Sequence, residues 1–202
     1  MYNPTAVLIG YSGHGLMCLD VATLNDYTIS GYCDHELKEF NPLNLNFLGS
    51  ETQLKNGTNV ILGIGDNHIR FKLYNELIHL QYINIIHPSA IVAWSVKLSD
   101  GIVIAANAVV NPFAEIGTGA IINTSAIIEH ECVIGDFSHV APGAVLCGNV
   151  KVGTRSFIGA NSVIKQGVTI GDEVIVGAGS VVISDIQNNT MVVGNPARIL
   201  KK

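Results

Sequence analysis

Every sixth residue from Ile86 to Val182 is Ile, Val or Leu, through seventeen consecutive hexads without a break. A period of six is neither the 3.6 of an amphipathic helix nor the 2 of a strand. It fits a parallel β-helix whose coil has three short sides. Three hexads make a coil of 18 residues, so each aliphatic points inward and stacks on the one a coil away. Residues 86–182 then give about five and a half coils, which fold as a stack because a lone coil cannot bury its faces. The fourth residue after each aliphatic is mostly small, as in Ala108, Ala114, Ala120, Ala126, Cys132, Ser138 and Ala144, and suits a tight corner. Gly often follows the aliphatic directly, at 117, 135, 153, 159, 171 and 177, and is expected to permit strained backbone there. A β-helix used only as a scaffold or ice-binding surface would show long flat Thr ladders, whereas the outward residues here are mixed.

Ahead of the repeat, Ala6-Val-Leu-Ile-Gly10 reads as a buried strand, Tyr11-Ser-Gly-His-Gly15 as a turn, and His14 to about Leu24 as a helix. A second strand covers Tyr27–Cys33 and ends at Asp34. A third covers Asn59–Gly63, followed by Gly65-Asp-Asn and a helix from about His68 to Leu80. Strands alternating with helices predict a parallel sheet of three or four strands. The glycines stand at 10, 13 and 15, not at the 10, 12 and 15 of a dinucleotide fingerprint, which weakens an NAD reading. A Gly-rich turn before a helix still offers N–H groups to a pyrophosphate. The same turn is also what close strand–helix packing alone requires. Asp34, ending the second strand, is placed to bond a ribose or base.

Charged residues are only 13% against 48% hydrophobic, a balance that excludes disorder. Net charge is −5 with no basic run, so nucleic acid is not an expected partner. The Lys201-Lys202 pair reads as a solvated tail. Met1-Tyr-Asn-Pro4 has no basic n-region, and no apolar run reaches a membrane span, so neither a signal peptide nor a spanning helix is expected. Cysteines 18, 33, 132 and 147 form no C-x-x-C pair and read as free thiols of a cytoplasmic protein. Cys132 fills a small corner slot, and Cys147 beside Gly148 reads as a neighbour of a site. His87, His130 and His139 lack the close spacing of a zinc set, so no metal is expected.

The hexads resemble the left-handed β-helix of the hexapeptide acyltransferases. The whole chain resembles a narrower group, the sugar O-/N-acyltransferases typified by the bacillosamine-pathway and sialic acid O-acetyltransferases. The resemblance rests on Gly10-Tyr-Ser-Gly-His-Gly15, Gly63-Ile-Gly-Asp-Asn67 with Arg70, His87-Pro-Ser-Ala90, Glu129-His-Glu-Cys132, His139-Val-Ala-Pro-Gly143 and Val193-Gly-Asn-Pro-Ala-Arg198. It implies a Rossmann-like nucleotide-sugar domain over residues 1–82, a left-handed β-helix over 83–185, a capping tail over 186–202, and a homotrimer with sites between neighbouring helices.

For particular residues, the resemblance implies His130 as general base with Glu131 orienting it. It sets His139 near the acetyl thioester and the Gly148 N–H toward the acetyl oxygen. Acetyl-CoA is expected along the groove past these toward Ala160 and Gly177. Gly10, Ser12, Gly13, His14, Asp34, Gly65 and Asn123 are expected around the sugar nucleotide, with His14 toward its reacting end. One departure stands out, because the group often carries two acids after the second strand and this chain has Asp34-His35. The nucleotide, whether linked to UDP, dTDP or GDP, stays open.

The chemistry asks for these residue types. An amine or hydroxyl attacking a thioester needs a base that exchanges protons near neutrality, and a histidine held by a carboxylate supplies one. The oxyanion needs a donor, which a glycine N–H provides without obstruction. Thiolate leaves well, so direct transfer is expected. His130 and His139 avoid the inward slots and are half a coil apart, so they lie on different sides and share a site only if two chains contribute. The expected activity is N-acetylation of a nucleotide-linked 4-amino-4,6-dideoxy sugar for glycan biosynthesis. The alternatives are O-acetylation of a sialic-acid-like sugar and a non-catalytic nucleotide-sugar-binding scaffold.

Overall fold

The computed structural model describes residues 3–200. Met1, Tyr2 and the Lys201-Lys202 pair lie outside the described residues. The N-terminal part contains β1 (Thr5–Ile9), α1 (Gly13–Leu24), β2 (Thr28–Cys33), β3 (Asn59–Leu62), α2 (Asn67–Glu76) and β4 (Gln81–Tyr82). The four strands form one parallel sheet in the order β2-β1-β3-β4. Period-2 alternation divides β1 between two cores. Ala6 and Leu8 face α1 and the solenoid residues Ile85, Val103 and Ile121, whereas Val7 and Ile9 face Leu77, Leu80 and Tyr82. The second helix ends at Glu76, four residues short of the expected Leu80. Residues 77–80 turn instead, which buries Leu77 and Leu80 beneath the sheet and leaves Ile78 outside.

From Ile85 onward the chain is a β-solenoid of two-residue strands on three faces. The faces are sheets of eight, six and five strands, and as far as Val182 each strand pairs in parallel with one 18 residues away. The inward aliphatics from Ile104 to Val182 are buried in one continuous core. Ile86, Val92 and Leu98 are only partly buried, because theirs is the end coil with no neighbour below. At the other end Val192 enters the same core, and Met191–Val193 and Arg198–Ile199 extend the eight-stranded sheet.

The corners depart from expectation. From Gly101 to Gly179 every sixth residue has a positive φ, whether it is glycine or Asn107, Phe113, Glu131, Arg155 or Glu173. The glycines that follow the inward aliphatics lie outside that left-handed region. Their reason is close approach: a Cβ on Gly135 would stand 2.7 Å from the Gly153 carbonyl carbon, and one on Gly153 would stand 2.5 Å from that of Gly171. The turn itself falls two residues later, where the N–H bonds the coil below, as Glu131 does to the Pro112 carbonyl at 3.1 Å. Among the described residues no helix is long and apolar enough to cross a membrane.

Candidate active site

The predicted residues fall into two groups on opposite sides of the solenoid. The first lies where the N-terminal sheet meets the eight-stranded face. Gly10 holds a left-handed φ of 89°, and Gly15 and Gly63 are there for packing: a Cβ on Gly15 would strike the Gly10 carbonyl, and one on Gly63 would stand 2.5 Å from it. Gly13 and Gly65 differ, since a Cβ at 13 meets nothing within 4 Å and at Gly65 only His14 at 3.9 Å. Space is thus left beside the turn and His14. Ser12, the N-cap of α1, makes no side-chain bond to the first turn, whereas Asp66 caps α2 by accepting the Ile69 N–H at 2.9 Å. The first-turn donors of α1 are therefore left for another acceptor.

Asp34 sits at the end of β2 with its oxygens engaged inside the chain. Oδ2 accepts the Tyr11 N–H at 3.0 Å, and Oδ1 accepts the His35 N–H at 2.8 Å and faces Lys38 Nζ at 3.2 Å. Burial pushes this carboxyl up, but the Tyr11, Lys38 and His35 donors outweigh it and hold it below the usual range. The residue expected to bond the nucleotide thus also ties the Gly-rich turn to β2.

His139 points outward from its coil but is buried, 8% exposed, because the N-terminal part covers that face. Outward is not the same as open, which the hexad register could not disclose. Its ring stands 6.2 Å from that of His14 and 5.1 Å from Phe157, edge to face. Asn123 Oδ1 accepts the Thr124 N–H at 2.8 Å, which turns Nδ2 toward His139 Nε2 at 2.9 Å. Nε2 is therefore an acceptor and the proton of the neutral ring sits on Nδ1. That atom, like His14 Nε2, is buried without a hydrogen-bond partner among the described residues. Burial, then the Arg70 charge, brings the pKa of His14 down to about 4. The same causes, joined by His14 and partly offset by the Gly65 backbone, bring His139 down to about 3. Both rings are neutral at neutral pH.

Arg70, 1% exposed, is the residue whose role the motif did not reveal. Its five N–H groups reach five acceptors: the Ile64 and Gly65 carbonyls and Asn67 Oδ1 on its own side, and the Gly119 and Phe137 carbonyls of the solenoid. Asn67 Nδ2 adds bonds to the Arg155 and Ser156 carbonyls. Phe71 and Tyr74 pack edgewise on Phe137, each at 5.4 Å. Only a planar fork serves so many carbonyls at once.

The second group lies at the corner between the six- and five-stranded faces. His130 Nδ1 stands 3.0 Å from Glu131 Oε2, and both side chains are more than half exposed. Glu131 has φ 61°, so the pair sits on the left-handed turn. One coil on is Gly148, where a Cβ would stand 2.5 Å from His130 Cε1 and 2.6 Å from Nε2. The imidazole thus lies flat over the bare Gly148 backbone. The Asn149 N–H bonds the His130 carbonyl at 2.8 Å and pins the corner. Down the same corner, Phe113 is 64% exposed and Trp94 94%. Ala160 and Gly177 are on the other corner, next to the eight-stranded face, so one chain does not bring them to His130. Of the cysteines, Cys132 is buried and donates to the Cys147 carbonyl at 3.2 Å, while Cys147 is half-buried. Among the described residues no three His, Cys, Asp or Glu groups are arranged to hold a metal.

A solenoid of hexads carrying an exposed, carboxylate-held histidine defines an acyltransferase of the hexapeptide class. Models of the bacterial transferase hexapeptide and of the hexapeptide repeat of succinyl-transferase match residues 131–166 and 149–184. The PglD N-terminal domain model matches residues 5–77. Perosamine N-acetyltransferase from Caulobacter crescentus, solved with CoA and GDP-perosamine, is 32% identical over 100% of this chain and 99% of its own, with TM-score 0.92. The acetyltransferase domain of PglB from Neisseria gonorrhoeae FA1090 is 31% identical over 98% and 100%, with TM-score 0.91. WeeI from Acinetobacter baumannii AYE is 26% identical over 97% and 100%, with TM-score 0.87. The chain belongs to the sugar acyltransferases of the hexapeptide family, with a PglD-type N-terminal domain.

Proposed function

We propose that the protein transfers the acetyl group of acetyl-CoA to the amine of a nucleotide-linked 4-amino-4,6-dideoxy sugar for glycan biosynthesis. The observation that carries this is the His130–Glu131 pair lying over Gly148. With Nδ1 held by the carboxylate, the Nε2 lone pair is turned outward to take a proton. The neutral sugar amine attacks the thioester carbonyl, and its proton passes to His130 Nε2. The oxyanion meets the Gly148 N–H, which has no acceptor among the described residues. Collapse expels the thiolate, to which His130 returns the proton. The relatives solved with CoA, acetyl-CoA or GDP-perosamine support this pair of substrates.

On this reading residues 1–82 hold the nucleotide sugar, 83–185 wind as a left-handed β-helix, and 186–202 cap it. Acetyl-CoA runs past His139 toward Ala160 and Gly177 of a neighbouring chain. The active unit is a homotrimer, supported by the exposed Trp94 and Phe113 beside His130, which a lone chain leaves in water. It works in the cytoplasm, where four free thiols stay reduced. The test is acetyl-CoA consumption with a panel of nucleotide-linked 4-amino sugars and free sialic acids. His130→Ala is expected to lower turnover by about 10² or more. Light scattering is expected to give three chains, and a stable active monomer would end the two-chain site.

A further inference from the structure

The parallel sheet leaves a pocket of about 270 Å³ at the C-terminal ends of β1, β2 and β3. In an order of β2-β1-β3-β4 the topology reverses between β1 and β3, the place where α/β sheets take ligands. Its volume suits one heterocycle, not a whole nucleotide. One side is apolar, made by Ile64, Ile69 and Leu73. The other carries two carboxylates, Asp34 and Glu51. Asp34 is engaged with Tyr11, His35 and Lys38. Glu51 makes no side-chain hydrogen bond or ion pair among the described residues. It opens the short turn Glu51–Gln53, fixed because the Ser50 hydroxyl accepts the Thr52 N–H at 3.3 Å. Its charge is felt at the end of β2, where burial first and Glu51 second push the Cys33 thiol up to about 11.

Two acids at this end repel a pyrophosphate, which is directed instead to the uncapped α1 turn at Ser12 and Gly13. The base is left for the acid end. A carboxylate is acceptor-only and offers two oxygens side by side. Guanine matches that with two neighbouring donors, the ring N1–H and the exocyclic amine. Uracil and thymine present one N–H between two carbonyl oxygens, which a carboxylate repels. Adenine presents one amine beside a bare ring nitrogen.

On the reading that the N-terminal part holds the nucleotide sugar, we infer that Glu51 reads the base and that the carrier is guanosine diphosphate. Calorimetry on the full-length protein with GDP, inosine diphosphate, UDP and dTDP tests it. Inosine diphosphate lacks only the exocyclic amine. GDP is expected to bind about tenfold tighter than inosine diphosphate and about a hundredfold tighter than UDP or dTDP. In Glu51→Ala, GDP and inosine diphosphate become equal while UDP affinity and acetyl-CoA binding are kept, the latter showing that the variant is folded. UDP or dTDP binding tighter than GDP overturns the inference, as does a GDP preference that survives in Glu51→Ala. If His130-dependent transfer is then found on a UDP- or dTDP-linked sugar, the acetyltransferase reading stands and only the role of Glu51 falls. If no diphosphate binds at all, the nucleotide-sugar reading falls and takes this inference with it.

Discussion

Replacing Gly148 by Ala separates the proposed catalytic corner from the fold that carries it. The backbone at 148 lies outside the left-handed region, so alanine fits its conformation. The new methyl would stand 2.5 and 2.6 Å from His130 Cε1 and Nε2, where ordinary contact begins at 3.4 Å. The obstacle is an exposed ring on a flexible side chain, so the imidazole swings aside by about 1 Å and the fold does not yield. A displacement of that size costs a catalytic group about a hundredfold in kcat, or about 2.7 kcal/mol. Stability moves the other way, by about +0.4 to +1 kcal/mol from the loss of unfolded-state freedom. The Tm is then expected to hold or rise by about 2–4 °C. Gly153→Ala is the control: its methyl meets the Gly171 carbonyl carbon at 2.5 Å and the Asp172 nitrogen at 2.6 Å, atoms that cannot step aside. That variant is expected to lose about 1–3 kcal/mol of stability and keep its kcat. Steady-state acetyl-CoA kinetics beside thermal unfolding read both. If Gly148→Ala works within about threefold of the parent while His130→Ala is dead, the placement of the ring is wrong.

Other outcomes follow from the seam and the coils. Arg70→Lys has three donors for five acceptors, and each of the two buried acceptors left bare costs about 1–3 kcal/mol, so a stability loss of about 2–6 kcal/mol is expected by denaturant titration. His14 and His139 are neutral in the fold down to about 4 and about 3, but take protons near 6.5 when unfolded. Below pH 6.5 the unfolded chain binds more protons, so stability is full above that pH and falls as pH drops toward 4, by up to about 1.4 kcal/mol per histidine per pH unit. His14→Asn or His139→Asn should halve that slope, and an unchanged slope would place the protons elsewhere. The Ser156 hydroxyl bonds the Gly171 carbonyl at 2.7 Å and accepts the Val174 N–H at 2.9 Å, so Ser156→Ala leaves two buried groups bare and is expected to cost about 1–3 kcal/mol, read by chemical denaturation.

The solenoid was legible because its code is a side-chain period: inward Ile and Val recur wherever a coil turns. The corners were less so. Glycines at 117, 135 and 153 looked like hinges of the turn, but they answer to the backbone of the next coil, a distance no single sequence window contains. The true turn residues carry no common chemistry, since Phe113, Glu131 and Arg155 all adopt the same φ under constraint from the ladder above and below. His130 and Glu131 were readable as an adjacent pair in an outward slot. Covering of His139 was not, because it depends on α1 and the Gly65 loop lying across a face more than 70 residues away in sequence. Arg70 and Glu51 give no periodic signal, and only their hydrogen-bond partners, or the lack of them, disclose what they do.

The fork of Arg70 has a consequence for what the enzyme accepts. With its bonds shared between both halves, Arg70 ties the sheet to the solenoid across their seam. On the proposed reading, the base pocket and the seam at His14 are then held at one spacing, like the two jaws of a caliper. On that reading the length of the carrier is gauged before any chemistry begins, and a carrier with one or three phosphates is expected to bind less well than the diphosphate.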